Sequence, residues 1–214
     1  MILLRAGVIG VGHLGSFHAS KYSKLHGVDL VSVVDTDQAR AEKVAKDNGT
    51  SACTDYREIL NQVNMVSIAV PTEHHYQVAR DFLTAGVHVL LEKPITKNLL
   101  EAEELIKLAR TNNLVFQIGH LERFNPAIVN ILNRQNDPMF IESHRLAPFK
   151  IRGTDVDVVL DLMIHDIDII LSMVKYPLAN IRASGTPLFT SFVYIANARL
   201  EFINGCVANV TASR

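Results

Sequence analysis

The chain has 214 residues, with 21 basic and 22 acidic side chains and a formal net charge of −1. This balance excludes the basic surface of a nucleic-acid-binding protein, and no apolar run reaches the roughly 18 residues that a membrane span needs. Hydrophobic residues make up 48% and charged residues 20% of the chain. The composition therefore predicts a folded protein of one large domain or two small ones.

The N-terminus and the cysteines indicate the compartment. The opening MILLRAGVIGVGHLG lacks the basic segment and the small-residue cleavage site of a signal peptide, and it is better explained as a strand that enters a glycine turn. Cys53 and Cys206 lie far apart and form no C-x-x-C motif. We therefore expect two free thiols and a cytoplasmic protein.

In chain order, the first 119 residues alternate short apolar runs with amphipathic stretches. The predicted strands are Arg5–Ile9, Leu30–Val34, Ser51–Thr54, Met65–Val70, Val87–Leu91 and Leu114–Ile118. The predicted helices are Leu14–His26, Gln38–Asn48, Tyr56–Asn61, His74–Ala85 and Asn98–Asn112. Such α/β alternation predicts a doubly wound parallel sheet with helices on both faces, a Rossmann domain over residues 1–119.

The pattern changes after Gly119, and residues 120–214 are predicted to form an α+β domain. Its predicted elements are helix Ala127–Arg134, strand Met139–Arg145, a helix through Val158–Ile170, and strands Ile181–Ser184, Thr190–Ile195, Ala198–Phe202 and Val207–Thr211. The pair Asn204-Gly205 signals a tight hairpin turn. An open, largely antiparallel sheet usually buries its uncovered face against a partner, so we expect a homodimer or homotetramer.

The segment GVGHLG matches the G-x-G-x-x-G fingerprint of a dinucleotide site. It follows a predicted strand and opens a helix, and Asp35 ends the next strand 20 residues after the last glycine. The glycines allow a tight turn and a close approach of the backbone to a pyrophosphate at the helix N-terminus. The predicted cofactor contacts in this segment are Gly10, Gly12, His13, Leu14 and Gly15.

Asp35 predicts the choice of cofactor. Its carboxylate would accept hydrogen bonds from the adenosine ribose hydroxyls and would repel a 2′-phosphate, which favours NAD over NADP. Arg40 keeps NADP as the less favoured alternative, although on its helix we expect Arg40 to be a solvated residue.

The segment VVLDLMIHDIDII at Val158–Ile170 is apolar enough for a core helix, yet it carries three aspartates and a histidine. On an α-helix, Asp157, Asp161, His165 and Asp168 would share one face, whereas Asp166 would not. Such a stripe is either a proton-handling site or the solvated edge of an ordinary helix, and these residues alone leave both readings open.

Several motifs together resemble the Gfo/Idh/MocA oxidoreductase family. They are GVIGVGHLG at Gly7–Gly15, VPTEHHYQVA at Val70–Ala79, EKP at Glu92–Pro94, GHLERFNPA at Gly119–Ala127, and Asp161-x-x-x-His165. The family usually has glycine where this chain has Met163, a difference that bears on the shape of the substrate pocket. Family members are also considerably longer, so the second domain is expected to be incomplete relative to them.

The resemblance implies that Lys93, Asp161 and His165 form the catalytic group. An imidazole that titrates near neutrality suits the base that takes the proton of a secondary hydroxyl. Asp161 would orient that ring or bind a neighbouring hydroxyl, and Lys93 would stabilise the developing alkoxide while hydride leaves for the nicotinamide.

The resemblance also implies further contacts. For the cofactor they are Pro71, His75, Glu92 and Pro94, and for the substrate they are His120, Arg123, Asn125, Arg145, Lys150 and Arg152. Arg123 could equally pair with Glu92 as a strut, and Asp157 and Asp168 are expected to be helix-end or solvated charges. No third ligand accompanies His74 and His75, so no metal is expected.

The segments RFNPA, HRLAPF and DVDVVLDLMIHDIDI resemble those of the sugar-nucleotide branch of the family. This implies oxidation of the 3-hydroxyl of UDP-N-acetylglucosamine. The alternatives are a dehydrogenase of another polyol such as an inositol, and a dinucleotide-sensing protein without turnover. A Rossmann methyltransferase is disfavoured because Asp161 and His165 would have no role in it.

Overall fold

Residues 3–134, 137–148, 156–188 and 192–214 are described by a computed structural model of the chain. The chain divides into two units, Met1–Gly119 and His120–Arg214. Each unit has its own sheet and its own cluster of buried apolar side chains.

The first unit is a parallel sheet, as the sequence predicts. Its strands are β1 (Leu4–Ile9), β2 (Val28–Val34), β3 (Ser51–Cys53), β4 (Met65–Ile68), β5 (His88–Leu91) and β6 (Phe116–Ile118). Its α-helices are α1 (His13–Tyr22), α2 (Gln38–Asn48), α3 (His75–Thr84) and α4 (Leu99–Thr111). The order is β3-β2-β1-β4-β5-β6, so the connections change direction between β1 and β4. In such sheets ligands bind at the carboxyl ends of the strands, at this switch point.

Local sequence signals account for the helix boundaries. Asp37 caps α2 by accepting a hydrogen bond from the Arg40 amide at 3.1 Å, and Gly49 ends that helix with φ of 66°. Asn98 caps α4 in the same way. The predicted helix Tyr56–Asn61 is instead a short 3₁₀ turn, Tyr56–Ile59.

The second unit combines two helices with a four-stranded sheet of order β7-β10-β9-β8. Its elements are α5 (Pro126–Leu132), β7 (Phe140–Leu146), a π-helical turn (Val159–Met163), α6 (Ile164–Met173), β8 (Leu178–Pro187), β9 (Val193–Phe202) and β10 (Val207–Ser213). β8, β9 and β10 are antiparallel, but β7 runs parallel to β10. The two strands predicted from Thr190 to Phe202 are wrong, because residues from Val193 onward form the single strand β9.

The two faces of this sheet differ. Alternate residues of β9 and β10, such as Leu200 and Val210, are buried in the cluster that includes Met163 and Ile170 beneath the helix. The opposite face is polar at its centre, where Asn197 donates to Thr211, and it exposes large apolar side chains nearer its margins: Phe140, Leu146, Ile195 and Ile203. We call this second surface the open face.

Two expectations from composition concern the chain as a whole. Cys53 and Cys206 both carry free thiols, as predicted. Among the helices of the described ranges, none combines the length and the apolar character needed to cross a bilayer.

Candidate active site

The glycine loop joins β1 to α1 and is shaped by close backbone contacts. Gly10 has φ of 79°, and a Cβ there would lie 2.8 Å from the carbonyl oxygen of Ala69. A Cβ at Gly15 would lie 1.8 Å from the carbonyl oxygen of Gly10, so only glycine lets α1 pass this close to β1. A Cβ at Gly12 would meet nothing within 4 Å. The backbone at Gly12 is therefore open, as the approach of a pyrophosphate requires.

The first turn of α1 completes this loop. Gly12 caps the helix without a side-chain hydrogen bond, and no acidic residue stands in the first turn. His13 is exposed and Leu14 half-buried. Amides in the first turn of a helix have no partner within that helix, so His13 and Leu14 can contribute backbone N–H donors to an anion.

Asp35 follows the end of β2 and fastens the glycine loop. It is 7% exposed; its Oδ2 accepts from the Val11 amide and its Oδ1 from the Asp37 amide, each at 3.0 Å. Arg40 Nη1 lies 3.2 Å from both oxygens of Asp35, and Nη2 lies 3.2 Å from Asp37 Oδ2. Arg40 is an exposed residue of α2, as expected, but the expectation omitted its contacts with these two carboxylates. Although half-exposed, it brings positive charge onto Asp35.

His75 ties the exits of β4 and β5 together. The side chain is 1% exposed, with Nδ1 2.7 Å from the Pro94 carbonyl oxygen and Nε2 3.0 Å from that of Val70. A neutral imidazole can donate to only one of these carbonyls. Burial nevertheless outweighs the two carbonyls and lowers the pKa of His75 below its ordinary value. Its predicted contact with the nicotinamide stays a prediction and would involve a ring carbon, since both nitrogens face backbone oxygens.

The segment Glu92-Lys93-Pro94 follows β5 directly. Glu92 is 5% exposed, and its Oε1 lies 3.1 Å from His18 Nε2 on α1. A Cβ at Gly119 would lie 3.0 Å from Glu92 Oε2, so this glycine makes room for the carboxylate. Lys93 is half-buried and the Lys93–Pro94 peptide bond is cis. Glu92 is therefore held inside the first unit, at the strand end that carries Lys93.

Pro71 lies at the exit of β4, where its carbonyl oxygen accepts from the His74 amide at 2.9 Å. It precedes a 3₁₀ turn, Thr72–His74, that leads into α3. The cofactor contacts of Pro71, Glu92 and Pro94 stay predictions.

In the second unit, the segment of aspartates begins with a cap and a π-helical turn. Asp157 Oδ1 accepts from the amides of Val159 and Leu160 at 2.9 and 3.0 Å, which confirms Asp157 as a helix-end charge. Asp161 lies within the π turn Val159–Met163, which interrupts the regular α-helical spacing between this residue and α6. Turns of this kind occur frequently at functional sites. His165 follows in the first turn of α6 and is half-buried.

Asp161 has a partner that sequence reasoning missed. Arg214 Nη1 donates to Asp161 Oδ2 at 2.9 Å, and the Arg214 side chain is 3% exposed. A signal was present, because Ala208, Val210 and Ala212 alternate on the buried face and Arg214 continues that period. The predicted strand stopped at Thr211, so this signal was lost.

The other two aspartates of the segment pair with arginines that were predicted to bind substrate. Arg123 Nε and Nη2 lie 2.7 and 2.5 Å from the two oxygens of Asp168. Arg145 Nε lies 2.6 Å from Asp166 Oδ2, and Ser143 Oγ donates to the Oδ1 of that carboxylate. The carboxylates raise the pKa of both guanidinium groups.

These pairs correct one expectation and leave another untested. Asp168 is not a solvated charge, because it is 8% exposed and bound by Arg123. Arg123 and Glu92 each have an ion-pair partner within their own unit, and the strut between them stays a prediction.

The remaining predicted substrate contacts are less defined. His120 Nδ1 lies 3.9 Å from Asp168 Oδ2, and Asn125 caps α5 by accepting from the Ala127 amide at 3.0 Å. Lys150 and Arg152 lie outside the described residues. Over the described ranges, no three His, Cys, Asp or Glu side chains are grouped as a metal would need.

The chain is similar in sequence and in structure to known oxidoreductases. A family model described as "Oxidoreductase family, NAD-binding Rossmann fold" matches residues 4–120. UDP-N-acetylglucosamine 3-dehydrogenase of Acidithiobacillus ferrooxidans is 43% identical over 215 residues, which cover 100% of this chain and 68% of that protein. A solved structure of that enzyme superposes with a TM-score of 0.92 and covers 100% of this chain and 71% of the other. The scyllo-inositol 2-dehydrogenase (NAD(+)) of Bacillus subtilis is 27% identical, covering 99% of this chain and 67% of that enzyme.

Proposed function

Because the chain belongs to the Gfo/Idh/MocA family of NAD-binding oxidoreductases, we propose that it oxidises a sugar nucleotide with NAD. The preferred group is the 3-hydroxyl of UDP-N-acetylglucosamine, which becomes a 3-keto group. The observation that carries this proposal is the 43% identity, along the whole chain, to a dehydrogenase of that name.

When bound at the glycine loop, NAD would supply the nicotinamide carbon that accepts the hydride of the alcohol C–H bond, giving NADH and a ketone. The hydroxyl proton needs a separate acceptor, and His165 takes it in this proposal because an imidazole titrates near neutral pH. The ammonium group of Lys93 stabilises the negative charge that develops on the hydroxyl oxygen. Asp161 orients the imidazole or binds a neighbouring hydroxyl of the sugar.

The choice of NAD over NADP follows from Asp35 in this proposal. A carboxylate at the end of β2 repels a 2′-phosphate, and the amides of Val11 and Asp37 hold it in place. Arg40 tempers that repulsion, since its guanidinium group lies 3.2 Å from both carboxylate oxygens. We therefore expect a preference for NAD rather than a complete exclusion of NADP.

The diphosphate of the substrate would be met by arginine. Arg123 is the stronger of the two described candidates, because its side chain is 51% exposed against 31% for Arg145. Its Nε and Nη2 bind Asp168, so the N–H groups of Nη1 are the ones it would offer to a phosphate. His120, Asn125 and Arg152 remain proposed contacts of the sugar nucleotide.

A substrate panel tests the proposal. The protein is incubated with NAD and UDP-N-acetylglucosamine, UDP-glucose, free N-acetylglucosamine or myo-inositol, and the appearance of NADH absorbance is followed. We expect turnover of UDP-N-acetylglucosamine and little with the free sugar, which lacks the diphosphate.

Turnover of inositol without turnover of any UDP-sugar would contradict the proposed substrate and favour the alternative of a polyol dehydrogenase. Binding of NAD without turnover of any alcohol would favour the dinucleotide-sensing alternative.

A further inference from the structure

Arg214 is a buried cation that contacts the π turn and the backbone that precedes it. Its Nη1 donates to Asp161 Oδ2 at 2.9 Å, and its Nη2 donates to the carbonyl oxygen of Val156. Val156 precedes the turn Val159–Met163, and Asp161 lies at its centre. One guanidinium group therefore joins the backbone before the turn to the carboxylate within it.

The sheet fixes the position of this guanidinium group. The Arg214 amide donates to the Tyr194 carbonyl oxygen at 3.1 Å, which holds the residue beside the start of β9. The guanidinium carbon lies 5.3 Å from the centre of the Tyr194 ring, within the range of a cation–π contact. Tyr194 is fully buried. The anchor of Arg214 is thus the rigid sheet, not the helix that carries Asp161.

Such an anchor matters because a π turn is an irregular piece of helix, and the direction of the Asp161 carboxylate depends on the backbone of that turn. A charge-assisted hydrogen bond from a buried arginine fixes both the rotamer of the carboxylate and the local backbone. Displacement of a reacting or orienting group by about 1 Å can reduce turnover by roughly a hundredfold.

We propose that Arg214 is a positioning residue that holds Asp161 in its working orientation. This inference rests on the proposed function, in which Asp161 contacts the imidazole or the sugar. Arg214 acts through Asp161 and not on the substrate, so its effect should depend on the presence of the Asp161 carboxylate.

A double-mutant cycle tests this dependence. The variants are Arg214→Met, which keeps an apolar stem without the charge, Asp161→Asn, and the two combined. We expect Arg214→Met to lower kcat about tenfold or more with little change in KM for NAD. In the Asp161→Asn background, the same change should slow turnover by less than twofold, because the charge-assisted part of the interaction is already lost.

Two further variants separate positioning from simple stability. Arg214→Lys keeps a cation and should recover part of the kcat that Arg214→Met loses. Circular dichroism measures the folded fraction of each variant, so that kcat is compared per folded protein. Arg80→Met is the matched control: it removes an exposed arginine that pairs with Glu104 at 3.2 Å in the first unit, and it should leave kcat unchanged.

The outcomes are distinct. If Asp161→Asn is slow but folded Arg214→Met turns over at the normal rate, or if the two losses multiply, Arg214 is only structural and the inference fails. If Asp161→Asn itself keeps full turnover, the catalytic assignment of Asp161 fails and the positioning role falls with it.

Discussion

Two glycines of the same loop should respond in opposite ways to the addition of one methyl group. Gly15→Ala places a Cβ 1.8 Å from the carbonyl oxygen of Gly10, whereas Gly12→Ala places a Cβ where no atom lies within 4 Å. The first change should damage the fold. The second should leave the fold intact and weaken binding of NAD.

The cost at Gly15 follows from the overlap. A Cβ contact below 3.0 Å is essentially never tolerated, so α1 must move away from β1 by at least about 1.2 Å, the difference between 3.0 and 1.8 Å. The neighbouring atom is backbone and cannot rotate aside. Overpacking of this kind costs about 1–3 kcal/mol or more. At roughly 2–4 °C per kcal/mol, the melting temperature should fall by about 2–12 °C.

At Gly12, the added methyl group should weaken binding of NAD rather than the fold. Without a clash in the protein alone, the free energy of unfolding should change by less than about 0.5 kcal/mol. The added methyl group occupies the space through which a pyrophosphate would approach the backbone. We expect the affinity for NAD to fall at least tenfold, equivalent to about 1.4 kcal/mol.

Thermal unfolding with and without NAD measures both effects. At a concentration of 100 times Kd, NAD should stabilise the unchanged protein by about 2.7 kcal/mol, or roughly 5–10 °C. Gly12→Ala should melt normally without NAD but gain much less from it. A Gly12→Ala protein that binds NAD normally would refute the placement of the pyrophosphate, and a Gly15→Ala protein that melts normally would refute the packing argument.

Four other predictions concern the cofactor, catalysis, pH and assembly. Asp35→Ala should reduce the preference for NAD over NADP. Equal dissociation constants of NAD and NADP in the unchanged protein would contradict the role of Asp35 in choosing the cofactor. His165→Ala should reduce turnover by about a hundredfold or more with NAD affinity nearly unchanged, and Lys93→Met and Asp161→Asn should also be slower; a variant that melts lower yet keeps full specific activity would make its residue structural. Burial lowers the pKa of His75 in the folded state, so as pH falls the imidazole is protonated first in the unfolded chain. The free energy of unfolding should therefore decline as pH falls below about 6.5. Urea unfolding at several pH values should show a smaller dependence of this free energy on pH in His75→Gln. Light scattering should show a homodimer or homotetramer, assembled through the open face of the second unit, and a stable monomer at micromolar concentration would count against it.

Much of the first unit was predictable from sequence because its signals are local. Apolar runs that alternate with amphipathic stretches predict parallel strands and helices, and the observed order β3-β2-β1-β4-β5-β6 agrees with that prediction. The glycine spacing predicts the loop, and the close contacts of Gly10 and Gly15 explain it. The hairpin at Asn204-Gly205 was also correct, with φ of 85° at Gly205.

The side-chain pairings were decided by the tertiary structure. Arg214 and Asp161 are 53 residues apart, and Arg123 and Asp168 are 45 apart. Nothing in either local segment identifies its partner. Arg145 reaches the helix because β7 pairs in parallel with β10, a register that no local pattern specifies.

The π turn around Asp161 was also decided by the tertiary structure. The sequence Val158–Ile170 has the composition of a helix, and its periodicity predicts a regular α-helix with a stripe of polar residues. The five-residue turn Val159–Met163 departs from that spacing, and Arg214 binds the backbone before the turn and the Asp161 carboxylate within it. Periodicity and turn preferences are properties of neighbouring residues, so they can be read along the chain. The partner of a buried charge depends on which strands meet and which face each side chain occupies, and only the folded chain brings those together.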